Sequence, residues 1–186
     1  MNNSFISGVG TISGGEYDNV SISGTGNADG NIKANEVKIS GVGNFKGTVE
    51  AASLKVSGVG KFSNDVKCKT IFVSGVAKMD HDLAADSITV NGTIHISGDV
   101  NTDILMIDTK ESYFKNIYGD CINIKSFKKT KIDEIEATNV SLYNVKANRV
   151  SGSKVEILGY SYVDVVEFSE SLKLHDTCTI GKIIKL

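Results

Sequence analysis

The residues of this chain whose types and spacing could do chemistry are first of all its carboxylates. Asp80, Asp82 and Asp86 lie close together, Asp99 and Asp103 follow, and Asp82 stands 17 residues before Asp99. Glycoside cleavage uses two carboxylates across a groove, one as acid or base and the other as base or nucleophile. Polysaccharide-cleaving enzymes on coiled β folds also need clustered basic groups on one outer face. Arg149 is the sole arginine, so solvated acidic corners are the expected role of these aspartates. His81, His95 and His175 occupy unrelated phases of the sequence pattern, and stacking would not gather them into a metal site. Cys68, Cys121 and Cys178 are odd in number and lack C-x-x-C spacing, against a disulfide scaffold or a zinc site. The string GVGTISGG at residues 8–15 lacks the strand-loop-helix setting and the Lys-Ser/Thr ending of a phosphate loop. No catalytic, cofactor-binding or metal-binding residue is assigned, and a protein without enzymatic activity or cofactor is expected.

The elements that would position any such group follow from composition. A chain of 186 residues suits one domain. With no proline, no tryptophan, 19 glycines and many Val, Ile, Ser, Thr and Asn, it favours strands and turns over helices. The formal charge of −2, from 20 basic and 22 acidic residues, gives no drive towards nucleic acid or an anionic membrane. Residues 1–107 carry 8 basic and 11 acidic groups (net −3) and residues 108–186 carry 12 and 11 (net +1). No nucleic-acid partner is expected.

A five-residue motif sets the architecture. ISGVG begins at Ile6, ISGTG at Ile22, ISGVG at Ile39, VSGVG at Val56, VSGVA at Val73 and VNGTI at Val90, so that the starts are 16, 17, 17, 17 and 17 residues apart. Six residues after each start stand Ile12, Ala28, Phe45, Phe62, Met79 and Ile96; ten after the later starts stand Ile32, Val49, Val66, Leu83 and Val100. Two places further on come Ala34, Ala51, Cys68, Ala85 and Thr102, and two residues before each following start come Val20, Val37, Leu54, Ile71, Ile88 and Leu105. Alternation at period two means strands with one buried face. Coiling each 17-residue turn onto the previous one pairs equivalent strands in parallel and stacks the apolar columns into a continuous core. The spacing predicts an all-β fold, a single-stranded parallel β-helix or β-solenoid. Eleven turns at the strand spacing would make a rod on the order of 50 Å long. Cys68 falls in the small apolar column, where a thiol is a small hydrophobe.

Glycine is expected at the corners for its tolerance of positive φ, in the column Gly8, Gly24, Gly41, Gly58, Gly75 and Gly92 and in a second column of Gly14, Gly30, Gly47 and Gly98, with Asn64 and His81 as substitutes. Beyond Ile107 the next turn is expected to place Tyr113, Ile117 and Ile122 in the apolar columns and to reach Ile124. The pairs Val140/Leu142, Val155/Ile157 and Leu172/Leu174 then mark turns of 18, 15 and 17 residues. Only 4 of the 19 glycines lie after residue 98, so the latter half should have altered corners, with Phe127, Tyr160, Tyr162 and Phe168 filling or decorating it. One β-helix domain over 1–186 is expected, with regular Gly-rich turns in 1–107 and less regular turns in 108–186.

Other solenoid families fit less well. Steps of 6, 6 and 5 from Val56 to Phe62, Cys68 and Val73 fall one short of the 18-residue coil of hexapeptide acyltransferases, and aspartate does not recur in phase as calcium-binding nonapeptides require. The I/V-S-G-V/T-G motif, its period and phrases such as GNIKANEVKISGVGNFKGTVEAASLKVSG resemble the bactofilins, bacterial polymer-forming cytoskeletal proteins. The likeness is most specific over residues 6–107. It implies a right-handed β-helix that polymerises end to end without a nucleotide, often near the membrane, and scaffolds other proteins. The chain departs from the family in being nearly all repeat, with only residues 1–5 as a tail and a longer, irregular C-terminal half.

The solenoid also has a physical reason to assemble. Its ends expose strand edges and a slice of core, which must be capped or matched by another copy. No amphipathic capping helix is evident near the first turn or near the closing IGKIIKL. Phe5, Ile6, Ile180, Ile183 and Ile184 are therefore candidate assembly contacts, and the partner is another copy of the chain. A membrane surface and scaffolded proteins are further partners. With no signal peptide before the first repeat and no apolar run near the roughly 20 residues of a membrane-spanning helix, a cytoplasmic location is the simplest reading, with membrane association as an addition. The competing expectations are a carbohydrate-binding or carbohydrate-active β-helix using Tyr113, Tyr118, Tyr160 and Tyr162 as stacking platforms, and a membrane-surface or regulatory module whose latter half recruits a partner.

Overall fold

Alternating burial along each short segment produces the expected strands. The structure, a computed structural model, describes residues 2–186, the side chain of Lys129 excepted. Its extended segments are β1 (Asn3–Ile6), β2 (Val9–Ile22), β3 (Thr25–Ile39), β4 (Val42–Phe45), β5 (Val49–Val56), β6 (Val59–Phe62), β7 (Val66–Val73), β8 (Val76–Met79), β9 (Leu83–Val90), β10 (Thr93–Thr109), β11 (Tyr113–Leu158), β12 (Tyr162–Leu174) and β13 (Thr179–Lys185). All pair in parallel in one sheet that coils on itself as a β-solenoid of about 11 turns, with equivalent positions about 17 residues apart. There is no helix among the described residues. The 46-residue β11 is extended chain that runs through its corners and winds over itself.

Register is strict where the sequence repeats. Val42 pairs with Val59, Val59 with Val76 and Val76 with Thr93 on the short side of the coil, while Val49, Val66, Leu83 and Val100 stack on the long side. The long side bends where the pairing skips residues 52, 69 and 86. Inside, volume is traded between neighbouring columns. Phe45 and Phe62 stack with ring centroids 5.1 Å apart, and a Cβ on Gly43 or Gly60 would press on those rings. Where the rings give way to Met79 and Ile96, the glycines become Ala77 and Ile94, and all four are fully buried. Close packing is thus kept as its components change.

Positive φ, expected of all the corner glycines, is found at Gly30 of the second column; the motif column has a different cause. Positive φ occurs only at Gly15, Gly30, Gly159 and Asn144 among the described residues. In the motif column, a Cβ on Gly24, Gly41, Gly58, Gly75 or Gly92 would instead overlap the carbonyl oxygen of the glycine one coil below. The corner is that tight because one carbonyl takes two donors: Ile39 O accepts from Ser57 N at 2.8 Å and from Gly58 N at 3.1 Å. Asn64 and His81 are likewise no substitutes for positive φ; the Asn64 amide donates to Lys46 O at 2.8 Å.

After Ile107 the coil persists but its corner grows. His95 pairs with Tyr113, one residue beyond the 17-residue step, so Phe114 and not Tyr113 enters the core column above Ile96. The expected place of Tyr113 is thereby corrected: it lies outside, half-buried and stacked on His95. Ile117, Ile122 and Ile124 hold their expected columns, and Val140, Leu142, Val155 and Ile157 are buried. Phe168 packs against the core from its edge, Tyr162 is only partly covered, and Phe127 and Tyr160 are exposed. At the other end Met1 lies outside the described residues, and Asn3–Ile6 is already a strand paired with β2, so most of the expected tail belongs to the coil.

Candidate functional site

The final coil is where core columns meet solvent. In β13, Ile180 pairs with Val163 and Ile183 with Val166; both valines are fully buried, yet Ile183 is 50% exposed because no further strand among the described residues lies beyond it. Leu186, whose N–H donates to Phe168 O at 2.8 Å, and Leu174 add exposed apolar surface at this end. Ile184 pairs with Glu167 and belongs to the outer flank. The first coil differs. Ile6 continues the column of Ile22 and is only 9% exposed, while Phe5 pairs with Ser21 and points outward, 70% exposed. Tyr17 packs against the core beside Gly15, its hydroxyl donating to Ser13 O at 2.8 Å. Of the five candidate contacts, then, Ile180 and Ile183 present open core columns, Ile6 is covered, and Phe5 and Ile184 sit on flanks.

The aspartates serve the corners. Asp65 Oδ1 accepts the Asp82 N–H at 3.3 Å, Asp82 Oδ1 accepts the Asp99 N–H at 2.8 Å, and Asp99 Oδ1 accepts from the Asn116 amide at 2.9 Å. Asp82 and Asp99 do stack, but each carboxylate holds the chain of the next coil. Asp80 pairs with Lys78 at 3.3 Å. Asp86 and Asp103 are exposed at the bend of the long side. Arg149 fastens three coils, donating to Glu134 of the coil before and, at 2.6 Å, to Glu167 of the coil after. The three histidines are exposed. Among the described residues no group of three or more His, Cys, Asp or Glu is placed to hold a metal ion. Cys68 is buried, and loss of solvation pushes its thiol up to about 12.

The four tyrosines do not form one platform. Tyr113 stacks on His95 with centroids 4.7 Å apart, and Tyr162 has Lys146 Nζ 5.6 Å from its ring centre. Tyr118 lines a shallow groove of about 480 Å³ with Glu136, Ser151 and Leu186 on another side of the rod, and Tyr160 is exposed at the corner after Gly159. Burial, with the nearby Asp99 carboxylate, raises the Tyr118 hydroxyl above its ordinary range; a hydrogen bond to Asp164 does the same for Tyr162. Both phenols therefore remain hydrogen-bond donors at neutral pH.

Sequence reasoning missed the polar interior of the enlarged corner. Thr109, Ser112, Ser126, Thr130 and Ser161 are all buried. The signal available was the hydroxyl residues at the positions where the glycine column stops. Compared with protein-family models, curated proteins and solved structures, the chain matches none. No helix of the described residues is long and apolar enough to cross a membrane.

Proposed function

We propose that this chain is a non-enzymatic structural subunit, a rod that joins further copies end to end and offers its sides to other proteins in the cytoplasm or along a membrane surface. The bactofilin-like motifs of residues 6–107 support the reading, and the observation that carries it is the open final coil. Ile180 and Ile183 continue two core columns into solvent beside an unpaired strand edge. Such an edge is a template for another strand, and covering the apolar columns contributes about 25 cal/mol per Å² removed from water. A second copy seated there would extend ladder and core together.

Negative-stain microscopy and sedimentation of the purified chain test this. Filaments or end-on oligomers are expected for the parent, and monomers for Ile180→Asp and Ile183→Asp with unchanged circular dichroism. Phe5→Glu, on a flank, should assemble like the parent. A parent that stays monomeric at every concentration, or filaments unaffected by both aspartates, overturns the proposal.

A further inference from the structure

The middle outward position of the short side forms its own column up the rod. Asn27 and Asn44 are joined there by an amide hydrogen bond of 3.0 Å, and above them stand Lys61, Lys78 and His95 in register. Tyr113 follows on His95. Lys131 comes next, its N–H donating to Ser112 O as a strand partner of Tyr113 does. The 15-residue coil that sets Asn148 over Asp133 and Arg149 over Glu134 brings Lys146 over Lys131, and Lys146 pairs with Tyr162. Lysines and aromatic rings thus share one line of seven rungs, about 30 Å long at the strand spacing. Among the described residues Lys61 and Lys131 have no carboxylate partner, while Lys78 has Asp80. Beside Tyr113 the enlarged corner opens a concavity of about 540 Å³ whose rim carries Lys110, Lys128 and Lys131 against the single acid Glu111.

We propose that this column is a binding track for one acidic polysaccharide chain, with its anionic groups on the lysines and its sugar faces on Tyr113 and Tyr162. Three observations select that ligand. The track is narrow at three of its rungs: two residues beyond Lys78, Lys131 and Tyr162 stand Asp80, Asp133 and Asp164, which would repel a broad anionic sheet such as a membrane. Its pitch of about 4.8 Å is close to the advance of one pyranose, so in a two-fold chain the like-facing carboxylates, one on every second sugar, stay in step with every second rung. Like-facing side chains of an extended acidic peptide repeat at about 6.6 Å and drift out of step, as do the phosphates of an extended nucleic-acid strand. Finally, Val59, Val76 and Thr93 line the other side of the track with small, partly exposed groups against which a sugar ring can lie. The track runs along the side of the rod and does not depend on assembly at its end.

Affinity electrophoresis and calorimetry with polygalacturonate test the track, using its methyl ester, a single-stranded oligonucleotide and anionic vesicles as competing ligands. Polygalacturonate should bind best, more weakly as salt rises. Lys131→Glu with Lys146→Glu should lower its affinity at least tenfold, and Tyr113→Ala severalfold. Lys38→Glu with Lys67→Glu, the same charge change on other columns, should leave it within twofold. All variants are to keep the parent circular dichroism. Absent binding, equal loss from both lysine pairs, or tighter binding of the oligonucleotide, the vesicles or the methyl ester overturns the proposal.

Discussion

Thr109 stands one coil above Gly92, at the position where the glycine column ends, and its hydroxyl donates to the Gly92 carbonyl. In the preceding coils a backbone N–H fills that role, as when Thr93 N donates to Gly75 O at 2.9 Å. The extra residue in the next corner displaces the backbone donor, and a side chain replaces it. The substitution continues upward: the Asn144 amide donates to Ser126 O at 3.1 Å and the Thr177 hydroxyl to Gly159 O at 2.6 Å. Buried backbone groups must be paired, so loss of the tight corner requires hydroxyl and amide residues.

Ser112 is the sharpest test of that account. Its Oγ accepts the Ile94 N–H at 3.2 Å in a buried setting. Ser112→Ala leaves this N–H without a partner and should cost about 1–3 kcal/mol, read as a lower midpoint of urea unfolding at unchanged slope. Ser97→Ala, at an exposed position, should leave the midpoint where it is.

The glycine column supplies a matched pair. A Cβ on Gly58 would overlap Gly41 O, whereas one on Gly8 meets nothing within 4 Å, no coil of the described residues lying beneath it. Gly58→Ala should destabilise by on the order of 3 kcal/mol, as overpacking against rigid backbone does. Gly8→Ala should be close to neutral in the same denaturation experiment.

Much of this was legible in the sequence, for a physical reason. Val49, Val66, Leu83 and Val100 repeat because each must fit the residue below it, so the 17-residue step reports the stacking directly. The cause of the motif-column glycines was not legible, since positive φ and close approach both select Gly; only the position of Gly41 O, one coil beneath Gly58, separates them. Tyr113 was misplaced because an insertion of one residue exchanges inward and outward positions, and YF at 113–114 offers an aromatic for either. The lysine and tyrosine track was hidden for the same reason: its rungs fall in line only once steps of 18 and 15 residues are known.

Thiol chemistry should separate the cysteines. Cys121 is exposed and Cys68 buried, with its thiol held far towards the protonated form. At pH 8 a maleimide should modify Cys121 quickly and Cys68 only after denaturation, as mass spectrometry of peptides would show. Rapid native labelling of Cys68 would contradict the packed column of Ala51, Cys68 and Ala85.

The acid limb of stability should carry a signature of Glu156. Its hydrogen bond from Lys173 Nζ, at 2.5 Å, holds the carboxyl below its ordinary range, aided by the lysine charge and by Ser141. A pKa lowered by folding stabilises above the unfolded value and ceases to do so as pH falls through the folded one. Glu156→Gln should therefore be less stable than the parent by up to about 1 kcal/mol at pH 7, and the two stability curves should converge as pH drops below the carboxylate range.

The uneven coils of the second half also bear on how the chain finds its order. Among the early turns a slip by one whole coil would still fill the columns, since Val37 could stand where Leu54 stands and Ile39 where Val56 does. The longer corner after Thr109 and the short coil that sets Arg149 between Glu134 and Glu167 have no counterpart one coil away. They act as index marks on an otherwise unmarked ruler, fixing which turn is which and giving a repetitive sequence a single place for every residue.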